Sequence, residues 1–137
     1  IVVKAAAVAD YRPVEVAPQK IKKNDNSLTL QLERTEDILA TLGRQKKGQV
    51  LVGFAAETER LLEHAREKMA RKNLDLLVAN DVSAGVFGSD RSTVHILEAG
   101  GGIETLTDRS KMEIAGKLLD HAMSVRKRSV AAAQSGE

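Results

Sequence analysis

Apolar positions fall into short continuous runs, separated by segments in which they recur at helical spacing. Ile1 to Ala9 is apolar except for Lys4 and reads as a buried strand ended by Asp10-Tyr11-Arg12-Pro13. Arg12 precedes a proline, which favours extended geometry. No periodicity marks Val14 to Ser27, which carries Pro18, Lys20, Lys22, Lys23, Asn24, Asp25 and Asn26. A loop of that length inside a compact domain is usually a functional lid or a connector.

Leu28, Leu30 and Leu32 then alternate with Thr29, Gln31 and Glu33, the pattern of a strand with one buried face. Thr35 is placed to cap a helix with Glu36 and Asp37 in its first turn and Ile38, Leu39 and Leu42 on its apolar face. Val50 to Ala55 is a continuous apolar strand, covered on both faces. A helix from about Thr58 to Lys72 carries Leu61, Leu62, Ala65 and Met69, and Leu74 to Ala79 is the next strand. Val82 to Arg91, with Gly85 and Gly88, is irregular. Thr93 to Glu98 and Ile103 to Thr107 flank Ala99-Gly100-Gly101-Gly102 as a hairpin. Ser110 and Glu113 have capping-box spacing and open a last helix along Ile114, Ala115, Leu118, Leu119 and Ala122. Residues 1–128 make one domain, and the Ser/Ala/Gln/Gly composition of 129–137 predicts a frayed, disordered tail.

Strands that alternate with helices and are largely apolar predict an α/β fold, a mostly parallel sheet with helices on its faces, closed by a carboxy-terminal hairpin and helix. Ligands in such sheets sit beyond the carboxyl ends of the strands, where Asp10, Phe54 to Glu57 and Asn80-Asp81 all fall.

Composition narrows the chemistry. The 137 residues, 42% apolar and 29% charged, suffice for a core without metal or disulfides, and no window is long and apolar enough for a membrane helix. The absence of cysteine excludes thiol nucleophiles and fits a reducing cytoplasm. A net charge of +2 with three aromatic residues is not the profile of a nucleic-acid binder, although Lys20 to Lys23 and Arg126-Lys127-Arg128 are basic runs. His64, His95 and His121 lack metal-ligand spacing, and no serine lies in a GxSxG turn, so neither a histidine metal site nor a serine hydrolase is expected. The chain opens in Ile1-Val2-Val3 with no basic leader, which reads as a chain starting inside a fold, a fragment.

Each candidate residue has a plain alternative. Lys20-Ile21-Lys22-Lys23 is either a solvated charge run or a lid whose ammonium groups close over a polyphosphate. Asp10 is either a turn former or an acceptor for the exocyclic amino group of a base. Phe54 is either core or an aromatic wall, with Gly53 admitting close backbone approach. Lys68 and Lys72 share a helix face, but the last turn of a 15-residue helix lies roughly 20 Å from its start. That distance argues against their reaching the crevice.

Taken in order, Ala5-Ala6-Ala7-Val8-Ala9-Asp10-Tyr11-Arg12-Pro13, Lys20-Ile21-Lys22-Lys23, Leu32 to Leu39, Gly53-Phe54-Ala55-Ala56-Glu57-Thr58 and Lys72 to Val82 closely resemble bacterial phosphopantothenoylcysteine synthetase. That family is the carboxy-terminal half of a bifunctional coenzyme A biosynthesis protein, and the resemblance runs from about Ala5 to the last helix. It implies a Rossmann-like fold and phosphopantothenate–cysteine ligation in two steps. CTP, with Mg2+, activates 4'-phosphopantothenate as an acyl-cytidylate, releasing pyrophosphate; the amino group of cysteine then displaces CMP.

Carried over by motif, Asp10 reads the cytosine, and Lys20 is the catalytic lid lysine on the triphosphate. Glu36, Asp37, Ile38 and Leu39 line the nucleotide pocket, with Glu36 where the family often has proline. Phe54 packs on the nucleotide, and Lys68 and Lys72 complete the cationic set. No protein metal ligand is implied, and FMN belongs to a decarboxylase half outside these residues. A homodimer is implied too. The family's upstream Gly-rich segment and catalytic asparagine are not among these residues, so the chain alone is expected to show little or no complete ligation. A non-catalytic nucleotide-binding or dimerisation module is the alternative.

Overall fold

The computed structural model describes residues 1–22, 27–57, 60–81 and 90–135; Lys23 to Asn26, Thr58-Glu59, Val82 to Ser89, most of the segment read from the sequence as irregular, and Gly136-Glu137 lie outside the described residues. A five-stranded sheet has the order β1 (Val2–Val3), β4 (Leu51–Glu57), β5 (Leu76–Asp81), β6 (Arg91–Glu98), β7 (Ile103–Ser110). β1, β4 and β5 run parallel, and β6 and β7 add an antiparallel hairpin. Outside this sheet, β2 (Tyr11–Pro13) and β3 (Leu32–Arg34) pair as a two-stranded antiparallel arm.

The central strands are apolar throughout because both faces are covered. Val50, Val52, Leu76, Val78, Val94, Ile96 and Leu106 pack against Ile114, Leu118 and Ala122 of α3 (Lys111–Ser135). Residues of the opposite parity, Leu51, Ala55, Leu77, Ala79 and Leu97, meet α1 (Ile38–Arg44) and α2 (Leu61–Arg71) through Leu39, Ala65 and Met69. Asp75 knits the strand starts together. Its carboxylate accepts from the Leu51 amide at 2.7 Å and from Lys46 Nζ at 2.7 Å, while its carbonyl accepts from the Ala99 amide.

Four sequence expectations need correction. Only Val2–Val3 of the first apolar run forms a strand, because β1 pairs with β4 alone and Ala5 to Ala9 leave the sheet for an exposed position. The alternating leucines do not bury a face: Leu28, Leu30 and Leu32 are all exposed on the arm. Thr35 is not the cap of α1. Its Oγ1 donates to the Ala9 carbonyl at 2.6 Å, closing the base of the arm, and Asp37 caps the helix instead, accepting from the Ala40 amide at 3.0 Å. The last helix does not fray after Arg128 but continues to Ser135, as the high helix propensity of Ala131, Ala132 and Ala133 allows. The Ser110–Glu113 box is present as expected: each side chain bonds the other residue's backbone amide.

A charged cluster fastens α3 to the hairpin. His121 Nδ1 lies 2.7 Å from Glu98 and Nε2 lies 2.6 Å from Glu104; only the protonated ring can donate to both carboxylates, so the pair favours the imidazolium form. Arg128 holds the other oxygen of Glu98 at 2.7 Å. Burial alone would push the His121 pKa down, but the bonds to Glu104 and Glu98 outweigh it and raise it above the ordinary value. Glu104 is held below its ordinary value, chiefly by its bond to His121.

A raised folded-state histidine pKa gives stability that is complete below the unfolded value near 6.5 and is lost as pH rises through the folded value. The lowered carboxylate contributes above its unfolded value, near 4.3, and loses that contribution under acid. Urea midpoints measured from pH 6 upward are therefore expected to fall for this chain and to stay flatter for His121→Gln.

Candidate functional site

A cavity of about 880 Å³ opens where β1 and β4 end. Its floor is small: Ala5, Ala6 and Ala7 after β1, and Ala55 and Ala56 at the end of β4. These side chains leave the room that bulkier ones would fill. Phe54 forms a wall and stays 39% exposed, so it is not a core residue. Asp10 lies where the chain turns into the arm, and Asn80 comes from the end of β5.

The remaining wall is cationic. Lys4, Arg34, Arg44, Lys68, Arg71 and Lys72 line the cavity, against the two carboxylates of Asp10 and Asp37. Such a surplus in a concave site focuses a positive potential and suits a polyanionic ligand.

The helix-length argument against Lys68 and Lys72 fails for a geometric reason. Residue α2 positions end against α1, which has only 7 residues and is roughly 10 Å long. Asn73, in a left-handed conformation just past α2, donates its side-chain amide to the Gly43 carbonyl at 3.1 Å and locks the two helices together. From that junction Lys72 reaches back along α1 to Asp37, where Nζ meets Oδ2 at 2.8 Å. The lysine side chain is 14% exposed and the aspartate 50%. Burial acts to raise the Asp37 pKa, but the Lys72 bond, the Ala40 amide and the charges of Lys72 and Lys4 together hold it below the usual carboxylate value. Asp37 is therefore ionised at neutral pH and fixes one oxygen on the cap and the other on Lys72.

Of the nine residues singled out in the sequence, Asp10, Asp37, Leu39, Phe54, Lys68 and Lys72 line this one cavity. Glu36, Ile38 and Lys20 do not. Lys20 lies in the exposed segment between β2 and β3, together with the exposed Val14, Val16 and Ile21. Sequence reasoning missed Lys4, Arg34, Arg44 and Arg71. Two of these carried a signal: Lys4 is the one charge in an apolar run, and Arg71 follows Lys68 by three positions on the same helix face. No group of three or more His, Cys, Asp or Glu side chains among the described residues could hold a metal ion. No helix among them is long and apolar enough to cross a membrane.

The family model for the DNA/pantothenate metabolism flavoprotein C-terminal domain matches residues 1–125. The coenzyme A biosynthesis bifunctional protein CoaBC of Bacillus subtilis (strain 168) is 47% identical over 131 residues, covering 94% of this chain and 32% of its own length. The protein of the same name from Escherichia coli (strain K12) is 42% identical over 125 residues, covering 87% of this chain and 30% of its own length. This chain thus spans about a third of the curated relatives that it matches. The crystal structure of the C-terminal domain of a coenzyme A biosynthesis bifunctional protein CoaBC superposes with a TM-score of 0.71 at 36% identity, covering 91% of this chain and 54% of that one.

Proposed function

Since the chain belongs to the DNA/pantothenate metabolism flavoprotein C-terminal domain family, we propose that its cavity is the CTP site of a phosphopantothenate–cysteine ligase. The observation that carries this reading is the placement of six cations, an aromatic wall and a carboxylate at the base of the arm around one cavity. A nucleoside triphosphate needs those three things: charge neutralisation, a stacking surface and an acceptor for the base.

In this account the Asp10 carboxylate accepts from the exocyclic amino group of cytosine, and Phe54 packs on the nucleotide. The ammonium groups of Lys68 and Lys72 bind phosphate oxygens, strengthening as charge moves onto the pyrophosphate leaving group. Lysine suits this task as a mobile donor that follows the migrating charge. Magnesium, held through the triphosphate oxygens and water rather than by protein ligands, would supply further neutralisation of the phosphates. Glu36 and Ile38 contribute by fixing the backbone that enters α1. The carboxylate of 4'-phosphopantothenate attacks the α-phosphorus of CTP and pyrophosphate leaves; the amino group of cysteine then attacks the acyl carbon and CMP leaves, and this chain's part is to hold the nucleotide.

Lys20 acts from the arm. The exposed Tyr11, Val14, Val16, Leu28, Leu30 and Leu32 of the arm and its loop fit coverage by a second copy, and in the homodimer this segment brings the Lys20 ammonium to the polyphosphate.

The test is ³¹P NMR of the chain with magnesium–CTP and 4'-phosphopantothenate. Saturable shifts of the triphosphate resonances, with no multiple-turnover pyrophosphate, are expected of these residues alone. Unperturbed triphosphate signals at saturating protein would reject the site, and steady pyrophosphate release would reject the division of labour.

A further inference from the structure

Asn80 is the last residue but one of β5, the middle strand of the sheet, and it lines the cavity half-buried. Parallel pairing sets Ala56 opposite Asn80 and Phe54 opposite Val78, so Phe54 and Asn80 are diagonal neighbours on one face of the sheet. Further down, that face carries Val52, Leu76 and Val78 into the core beneath α3. α3 packs chiefly over β6 and β7, and at the end of β4 Phe54 keeps its exposure. Ala56, directly across the ladder from Asn80, takes little of the space beside it.

The Asn80 amide makes no side-chain hydrogen bond among the described residues, and neither of its polar atoms is sealed from solvent. Two other neutral side chains on the cavity wall can donate, those of Tyr11 and Thr35. Thr35 commits its hydroxyl to the Ala9 carbonyl at 2.6 Å, and Tyr11 is 53% exposed on the two-stranded arm.

We propose that Asn80 is a specificity-determining residue of this site, its side-chain amide donating to O2 of the cytosine. The inference rests on the CTP reading and supplies what Asp10 cannot. A carboxylate that accepts from the exocyclic amino group rejects uracil, whose O4 would face it. It does not reject adenine, because N6 and N1 of adenine offer the same donor and acceptor as N4 and N3 of cytosine. The two bases part at the next position, where cytosine carries O2 and adenine only a C–H group. Choosing CTP over ATP therefore takes a donor at O2. Asparagine offers a neutral NH2 for it. The lysines and arginines of the wall gain more from the phosphates, where charge meets charge. Placement agrees with chemistry. A base packed against Phe54 turns an edge toward the residue one diagonal away on the same sheet face, and that residue is Asn80. A short side chain on the middle strand also holds its position more closely than one on the arm.

The probe is 2-thio-CTP, in which sulfur, a weak acceptor, replaces O2 and the rest of the base is kept. Calorimetric titration with magnesium compares CTP and 2-thio-CTP on the unaltered chain, Asn80→Ala and Tyr11→Phe. The unaltered chain is expected to prefer CTP. Asn80→Ala should bind CTP up to about tenfold more weakly, the usual worth of one neutral hydrogen bond, and should no longer distinguish the two. Its preference for CTP over ATP should shrink by the same factor, while that over UTP should stay. Tyr11→Phe should behave like the unaltered chain. If Asn80→Ala melts early, Asn80→Asp, of nearly the same shape but without a donor, takes its place and should lose the preference as well. A preference for CTP over 2-thio-CTP that survives without Asn80, that is absent from the unaltered chain, or that disappears in Tyr11→Phe would overturn the proposal. Failure of the unaltered chain to bind either nucleotide would instead reject the CTP site itself, and this inference with it.

Discussion

Lys72→Ala is expected to weaken nucleotide binding on the order of a hundredfold. Removing one charge-assisted bond costs about 1.5–3 kcal/mol, and every 1.4 kcal/mol is a factor of ten in affinity. The upper part of that range applies because the ammonium is largely buried and because its loss leaves Asp37 ionised and unneutralised beside the phosphates. The second effect is separable. Asparagine caps a helix about as well as aspartate, so Asp37→Asn should keep α1 intact while removing the orphaned charge. The double variant is expected to recover about tenfold of the lost affinity, and a double-mutant cycle by calorimetry measures the coupling. Losses that simply add would mean that the pair is a structural tie rather than part of the binding surface.

Gly43→Ala is expected to be the most damaging single-atom change for stability. Within a helix, alanine ordinarily gains close to 1 kcal/mol over glycine. Here the new Cβ would lie 2.0 Å from the Lys72 carbonyl oxygen and 2.9 Å from its carbon, both backbone atoms. Neither can rotate away, so α1 and the end of α2 must separate. Overpacking of this kind costs about 3 kcal/mol, which for a chain of this size lowers Tm by roughly 10 °C. The same separation breaks the Asn73 bond to the Gly43 carbonyl and displaces Lys68, Arg71 and Lys72 from the cavity, so nucleotide affinity should fall with stability. Gly116→Ala on α3 is the control. It meets no atom, and it should be neutral or slightly stabilising in the same thermal melt.

What could be read from the chain, and what could not, divides along physical lines. The continuous apolar runs at Val50 to Ala55 and Leu74 to Ala79 announced central strands because both faces of β4 and β5 are covered within this chain. The hairpin and the Ser110 box were legible because their signals are local. The alternation Leu28, Leu30, Leu32 predicted a buried face, and the pattern is real, but nothing among the described residues covers it. Period-two patterning reports that a face is to be buried, not what buries it.

For the site, it was the resemblance to the family, not residue types alone, that brought out Asp10, Phe54, Lys68 and Lys72, and all four line one cavity. The distance objection to the two lysines failed because it took α2 as isolated, whereas its end is docked on a short neighbouring helix through Gly43 and Asn73. Arg34 and Arg44 gave no signal, since a single arginine next to a helix or in its last turn looks like any solvated charge. Their convergence is a property of the tertiary structure alone.

The most direct test of the central claim is calorimetric titration of this chain with CTP and with ATP, each with magnesium. The account predicts saturable heat with CTP, much weaker heat with ATP, and loss of the CTP signal in Asp10→Ala. Equal heats for the two nucleotides, silence with both, or an Asp10→Ala chain that binds CTP as before would contradict it.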